Sequence, residues 1–108
     1  MYNVVFAERA EQELIDISNY IYDESGSATT AIKVVTNITT RINERLSRFP
    51  NSGLVALITE SGSIYRQLVV DRYYVIYRIE EREEETFVLV TNVFRDRRNK
   101  DAITSGLE

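Results

Sequence analysis

Six of the eight cationic side chains in the second half of this 108-residue chain are candidates to meet an anion. They are Arg66 in SIYRQLVV, Arg78 in RYYVIYRI, and Arg95, Arg97, Arg98 and Lys100 in VFRDRRNK. Guanidinium groups stay charged and offer a rigid fork of donors that matches phosphate oxygens two at a time. Tyr73, Tyr74 and Tyr77 accompany Arg78, and their rings can stack on bases. The chemistry open to such a set is the grip of an anionic partner, or stabilisation of charge on a transferring phosphate. Each arginine taken singly also has a structural role open to it, pairing with a carboxylate such as Asp71 or Asp96, or laying its stem along apolar surface.

Other chemistries are closed by composition. The chain has no histidine and no cysteine. The commonest general base and metal ligand are therefore missing, a Ser-His-Asp site is excluded, and there is no thiolate nucleophile or disulfide framework. No metal and no cofactor are expected. The net charge of -4 argues at first against a polyanionic partner. Its distribution changes that reading. Residues 80–85 read EEREEE, and without that one segment acids and bases balance. The acidity belongs largely to one loop.

These residues need a scaffold to position them. The length suits one domain over residues 1–108, and the composition, 44% hydrophobic and 28% charged, is that of a soluble globular protein. No apolar run is long enough to cross a membrane. MYNVVFAERAEQ lacks a basic region followed by an apolar core, so no secretion signal is expected. Tyr2–Phe6 reads as a strand. Ala10, Leu14, Ile17 and Ile21 then recur with helical period. DESGS is a turn in which Gly26 ends that helix and Ser27 caps the next. A second helix is predicted from about Ala28 to Arg48, with Ala31, Val35, Ile38, Ile42, Leu46 and Phe49 on its apolar face, and Pro50 stops it. LVALITES (54–61) reads as a connection with some extended character.

Three strands follow, Ser63–Val70, Arg72–Ile79 and Thr86–Arg95, the first pair joined through little more than Asp71 and the second through the EEREEE loop. The expected fold is α+β with the order β-α-α-β-β-β, a helical hairpin packed on one face of a mainly antiparallel sheet. Tight pairing at Asp71 puts Arg66 and Arg78 in neighbouring strands on one face. Alternation sets Val88, Val90 and Phe94 against Phe87, Leu89, Val93 and Arg95. Both sheet faces thus carry apolar residues, while two helices cover only one, so the second face is expected to be a binding surface unless segment 54–62 and the C-terminal tail cover it.

YRQLVVDRYYVIYRIEE (65–81), followed by VLVTNVFRDRRN (88–99), resembles the RelE/ParE superfamily of toxins from bacterial type II toxin–antitoxin systems. The resemblance extends to FAERAEQELIDISNYI (6–21) and to RLSRFPNSG (45–53), and so spans nearly the whole chain. It implies a cytoplasmic, growth-inhibiting protein, associated with plasmid stabilization and silenced by a cognate antitoxin. RelE-like members are metal-independent, ribosome-dependent endoribonucleases that act as mRNA interferases. ParE-like members inhibit DNA gyrase. The resemblance matches Arg66 to the phosphate-contacting arginine of the first hairpin strand, and puts Arg95 where relatives often carry His or Tyr. As a ribonuclease, the chain would draw on Arg66, Tyr77 and Arg95, with Glu60 a further candidate for proton transfer. The chain departs from the ribonucleases in having no histidine and two lysines, Lys33 and Lys100. RNA cleavage needs a proton acceptor and a proton donor, and arginine is a poor proton carrier. The reading that follows is a gyrase-binding inhibitor, with the ribosome-dependent ribonuclease as the alternative. In either case Arg66, Arg78, Arg95, Arg97, Arg98 and Lys100 form the surface that meets the target.

Overall fold

The computed structural model describes residues 1–95. Arg97, Arg98 and Lys100 lie outside the described residues. Along the chain run β1 (Asn3–Phe6), α1 (Glu8–Ser25), α2 (Ala28–Arg48), β2 (Leu54–Ile58), β3 (Ile64–Val70), β4 (Tyr73–Arg82) and β5 (Glu85–Phe94). The strands form one sheet in the order β1-β5-β4-β3-β2. The β1–β5 pair is parallel and the rest are antiparallel. This is the expected α+β layer with one additional strand.

The helical hairpin forms for reasons visible in its residues. Glu8 and Glu11 put carboxylates in the first turn of α1, where the helix dipole favours them. Gly26 ends α1 in the left-handed region (φ 68), and its N–H donates to the Tyr22 carbonyl at 2.7 Å. Ser27 Oγ then accepts from the Thr30 N–H at 3.1 Å and caps α2. Ala10 and Leu14 of α1, with Ile38, Ile42 and Leu46 of α2, bury themselves against Val70, Tyr73, Val75, Tyr77, Val88, Val90 and Val93 of the sheet. Phe49, which the period of α2 places in that core, stands outside it and is 60% exposed. It closes the last turn of α2 through its N–H to the Arg45 carbonyl, and the chain turns away at Pro50 before the ring can reach the sheet.

The sheet departs from the expected pattern in four places, each with a local cause. Residues 54–58 are an edge strand paired with β3. They extend the sheet sideways and are not a cover over its second face. The β3–β4 turn takes two residues, Asp71 and Arg72, so Arg66 pairs with Tyr77 and Val70 with Tyr73. Directly paired residues share a face and a one-residue change of register reverses it. Arg66 therefore sides with Tyr77, towards the helices, and Arg78 with the opposite face. The β4–β5 loop shrinks to Glu83 (φ 47) and Glu84 (φ 71), whose positive φ values make a primed two-residue turn that carries both strands on to Arg82 and Glu85. Finally, Ile76 pairs with Asn92 but Tyr77 pairs with Val90, which leaves Thr91 as a bulge. Thr91 Oγ1 donates to the Ile76 carbonyl at 3.2 Å. The bulge moves Val93 into the main core and turns Phe94 to the second face, the reverse of strict alternation.

The second face holds a smaller core of its own. Tyr65, Ile76 and Phe94 are buried there, with Leu57 and Tyr74 against them. The Tyr74 and Phe94 rings stack at 5.5 Å between centroids.

Candidate functional site

The arginines expected to act together occupy three different settings. Arg66 lies half-buried beside the loop that follows α2, and its Nη1 donates to the Gly53 carbonyl at 2.9 Å and the Asn51 carbonyl at 3.4 Å. Its register partner Tyr77 is fully buried. The Tyr77 hydroxyl donates to the Pro50 carbonyl at 2.7 Å and accepts from the Gly53 N–H at 2.9 Å. Burial pushes its pKa above the ordinary tyrosine value, although the Gly53 N–H and the Arg66 charge pull the other way. Gly53 is required by this contact, because a Cβ there would stand 2.6 Å from the hydroxyl and 2.8 Å from the Gln67 carbonyl. Tyr77 thus ties the exit of α2 to the centre of the sheet. The hydroxyl donates and accepts within that tie.

Arg78 is held on the other face. Its Nη1 donates to the Tyr65 hydroxyl at 2.7 Å, its Nε pairs with Glu80 at 2.6 Å, and its guanidinium sits 5.4 Å from the centre of the Tyr65 ring. Arg66 and Arg78 both line a hollow of about 420 Å³ beside the start of β3, together with Ile64, Ile79, Glu80 and Glu81. The two carboxylates balance the two guanidiniums, so the hollow has little net attraction for a phosphate.

Among the described residues of the set, Arg95 is the exposed one. It leaves the end of β5 at the mouth of a cavity of about 360 Å³, walled by Tyr20, Tyr73 and Phe94 and edged by Glu13 and Asp16 of α1. Glu13 Oε1 accepts from the Val93 N–H at 2.9 Å, which fixes α1 to the strand two residues before Arg95. Burial raises the Glu13 carboxyl above the ordinary range, opposed by the Val93 N–H and by the Arg9 guanidinium. Glu13 and Asp16 escape a reading of the sequence that follows the cations alone. Their signal is positional: Glu13 sits at i+3 from Ala10 and adjoins Leu14, on the flank of the apolar stripe, so it meets the sheet where β5 ends.

Arg66 and Arg95 stand two strands and about four register positions apart, roughly 16 Å at ordinary strand spacings. Arg66, Tyr77 and Arg95 therefore do not converge on one phosphate. Arg66 and Tyr77 are neighbours bound to the Pro50–Gly53 loop, and Arg95 stands at the end of β5 near Glu13 and Asp16. Glu60 lies in the exposed turn between β2 and β3. Among the described residues no group of three or more metal-ligating side chains is assembled, and no helix is long and apolar enough to cross a membrane.

The family model described as the ParE toxin of the type II toxin–antitoxin system, parDE, matches residues 4–100. The fold is similar to that of a chain in the solved chromosomal ParDE toxin–antitoxin system of P. aeruginosa, with a TM-score of 0.68 over 88% of this chain and 96% of that one, at 18% identity. No curated protein sequence matches.

Proposed function

This chain belongs to the ParE toxin family of type II toxin–antitoxin systems, and we propose that it arrests growth by binding a protein target, DNA gyrase, without cutting RNA. Membership brings with it a cognate antitoxin as partner. The observation that carries the choice of mechanism is the commitment of Tyr77 and Arg66 to the loop after α2. Cleavage through a 2′-hydroxyl needs a base on one side of the phosphate and an acid on the other, both within hydrogen-bond reach. The sequence has no histidine for either role, and the tyrosine best placed beside Arg66 donates its proton to Pro50.

A binding inhibitor has no such requirement. It needs an exposed anchor with a rigid base, and Arg95 meets that description. Its backbone follows a strand fixed by the Glu13–Val93 hydrogen bond, and its side chain is exposed beside the aromatic wall of Tyr20, Tyr73 and Phe94. Arginine beside aromatic surface is the pairing that dominates interface hot spots, where truncation commonly costs about 2 kcal/mol or more. Arg97, Arg98 and Lys100 follow Arg95 in sequence and add three cations to the same stretch.

The test is a supercoiling assay with purified gyrase and the purified toxin. The toxin should inhibit supercoiling, and Arg95→Ala should weaken inhibition by tenfold or more while keeping the wild-type melting temperature. Messenger RNA cut on programmed ribosomes, with gyrase untouched, would replace this reading by the ribonuclease one.

A further inference from the structure

Arg41, Arg45 and Arg48 recur at i, i+4 and i+7 along α2 and so share one stripe of the helix. All three are exposed, and they edge an open groove of about 450 Å³ between α2 and β3, floored by Leu68 and Val70. Phe49, the residue that the helical period assigns to the core, stands exposed at the same groove. Two carboxylates also line it. Asp71 is already taken by Arg41 at 2.9 Å. Glu44 alone stands against Arg45 and Arg48. Arg45 spends its Nε on Ser52 at 3.1 Å, and Arg48 makes no hydrogen bond or ion pair among the described residues.

We propose that this groove seats an acidic, amphipathic segment of the cognate antitoxin. The proposal rests on membership of the toxin family, which supplies the partner, and not on gyrase being the target. An apolar floor with an aromatic side chain at one end and arginines along one wall is the complement of a helix whose apolar face is flanked by carboxylates. The groove is local to α2 and β3, whereas Arg95 stands by α1 and β5. One partner can therefore hold the first surface while the second is a separate contact.

The test uses the double variant Arg45→Glu/Arg48→Glu, induced in cells with and without the antitoxin, and the two purified proteins titrated together. The variant should still stop growth alone, should no longer be rescued, and should bind the antitoxin at least tenfold more weakly than the wild type. Phe49→Ser, which removes an exposed ring and changes no charge, should weaken binding in the same direction, and it carries the test if the double variant fails to fold. Antitoxin affinity within twofold of wild type in the folded variants overturns the proposal. So does loss of toxicity with rescue intact, which would make the groove a target contact, or a change in self-association at unchanged antitoxin affinity. Failure of the gyrase reading shows instead as wild-type toxin that leaves gyrase unaffected, and leaves the rescue readout standing.

Discussion

Tyr77→Phe separates a structural hydroxyl from a catalytic one. The substitution keeps the ring, which is fully buried, and removes one oxygen. That oxygen satisfies two backbone groups, the Gly53 N–H at 2.9 Å and the Pro50 carbonyl at 2.7 Å. A buried polar group left without a partner costs about 1–3 kcal/mol. Two such groups would cost about 2–6 kcal/mol together, less whatever water or a shift of the loop restores. A domain of this size has about 5–15 kcal/mol of total stability, so the loss is a large fraction of the whole. It should appear as a fall in melting temperature of about 10 °C or more, measured by circular dichroism, with a matching drop in the urea midpoint. Toxicity per folded molecule should hold, because the hydroxyl faces only the fold. Tyr77→Phe that melts within a degree or two of the wild type yet loses toxicity would refute this reasoning and return Tyr77 to the active groups.

Three further predictions follow from local geometry. Gly53→Ala places a methyl group 2.6 Å from the Tyr77 hydroxyl and should destabilise by about 2 kcal/mol or more, an overpacking cost, read by urea denaturation; neutrality would mean that the loop moves freely. Glu83→Asn with Glu84→Gly puts the preferred residues of a primed turn where φ is 47 and 71 and should stabilise by about 1–2 kcal/mol, seen as a higher melting temperature. Glu13→Gln tests the raised carboxyl. A folded pKa above the unfolded one contributes stability that is complete below the ordinary value of 4.5 and is lost as pH rises through the raised value. The stability of wild type relative to the glutamine variant should therefore fall as pH is taken from 4 to 7, and a difference that stays flat would contradict the burial of Glu13.

The sequence made the helical hairpin legible because its two apolar stripes, the Gly26–Ser27 turn and Pro50 all speak locally. The same holds for β4, where Tyr73, Val75 and Tyr77 alternate into the main core. What was not legible depended on partners. Residues 54–58 show no clean alternation because an edge strand has few neighbours to satisfy; Leu54 stays 78% exposed. The placement of Arg66 and Arg78 hung on whether the β3–β4 turn holds one residue or two, and the sequence DR marks neither. The Thr91 bulge leaves no sign in a run of β-branched residues, yet it decides which of Val93 and Phe94 joins the helices. Glu83 and Glu84 adopt positive φ without the glycine or asparagine that would announce it. For the site, types were readable and convergence was not. Six cations were visible, but only the fold reveals that Arg66 and Arg78 are committed to internal partners and that Glu13 and Asp16 stand beside Arg95.

The most direct test of the central claim follows labelled thymidine and labelled methionine in one culture after the toxin is induced without antitoxin. Gyrase inhibition predicts that thymidine incorporation falls first while methionine incorporation continues. Early loss of methionine incorporation with thymidine unaffected would contradict it and point to the ribosome.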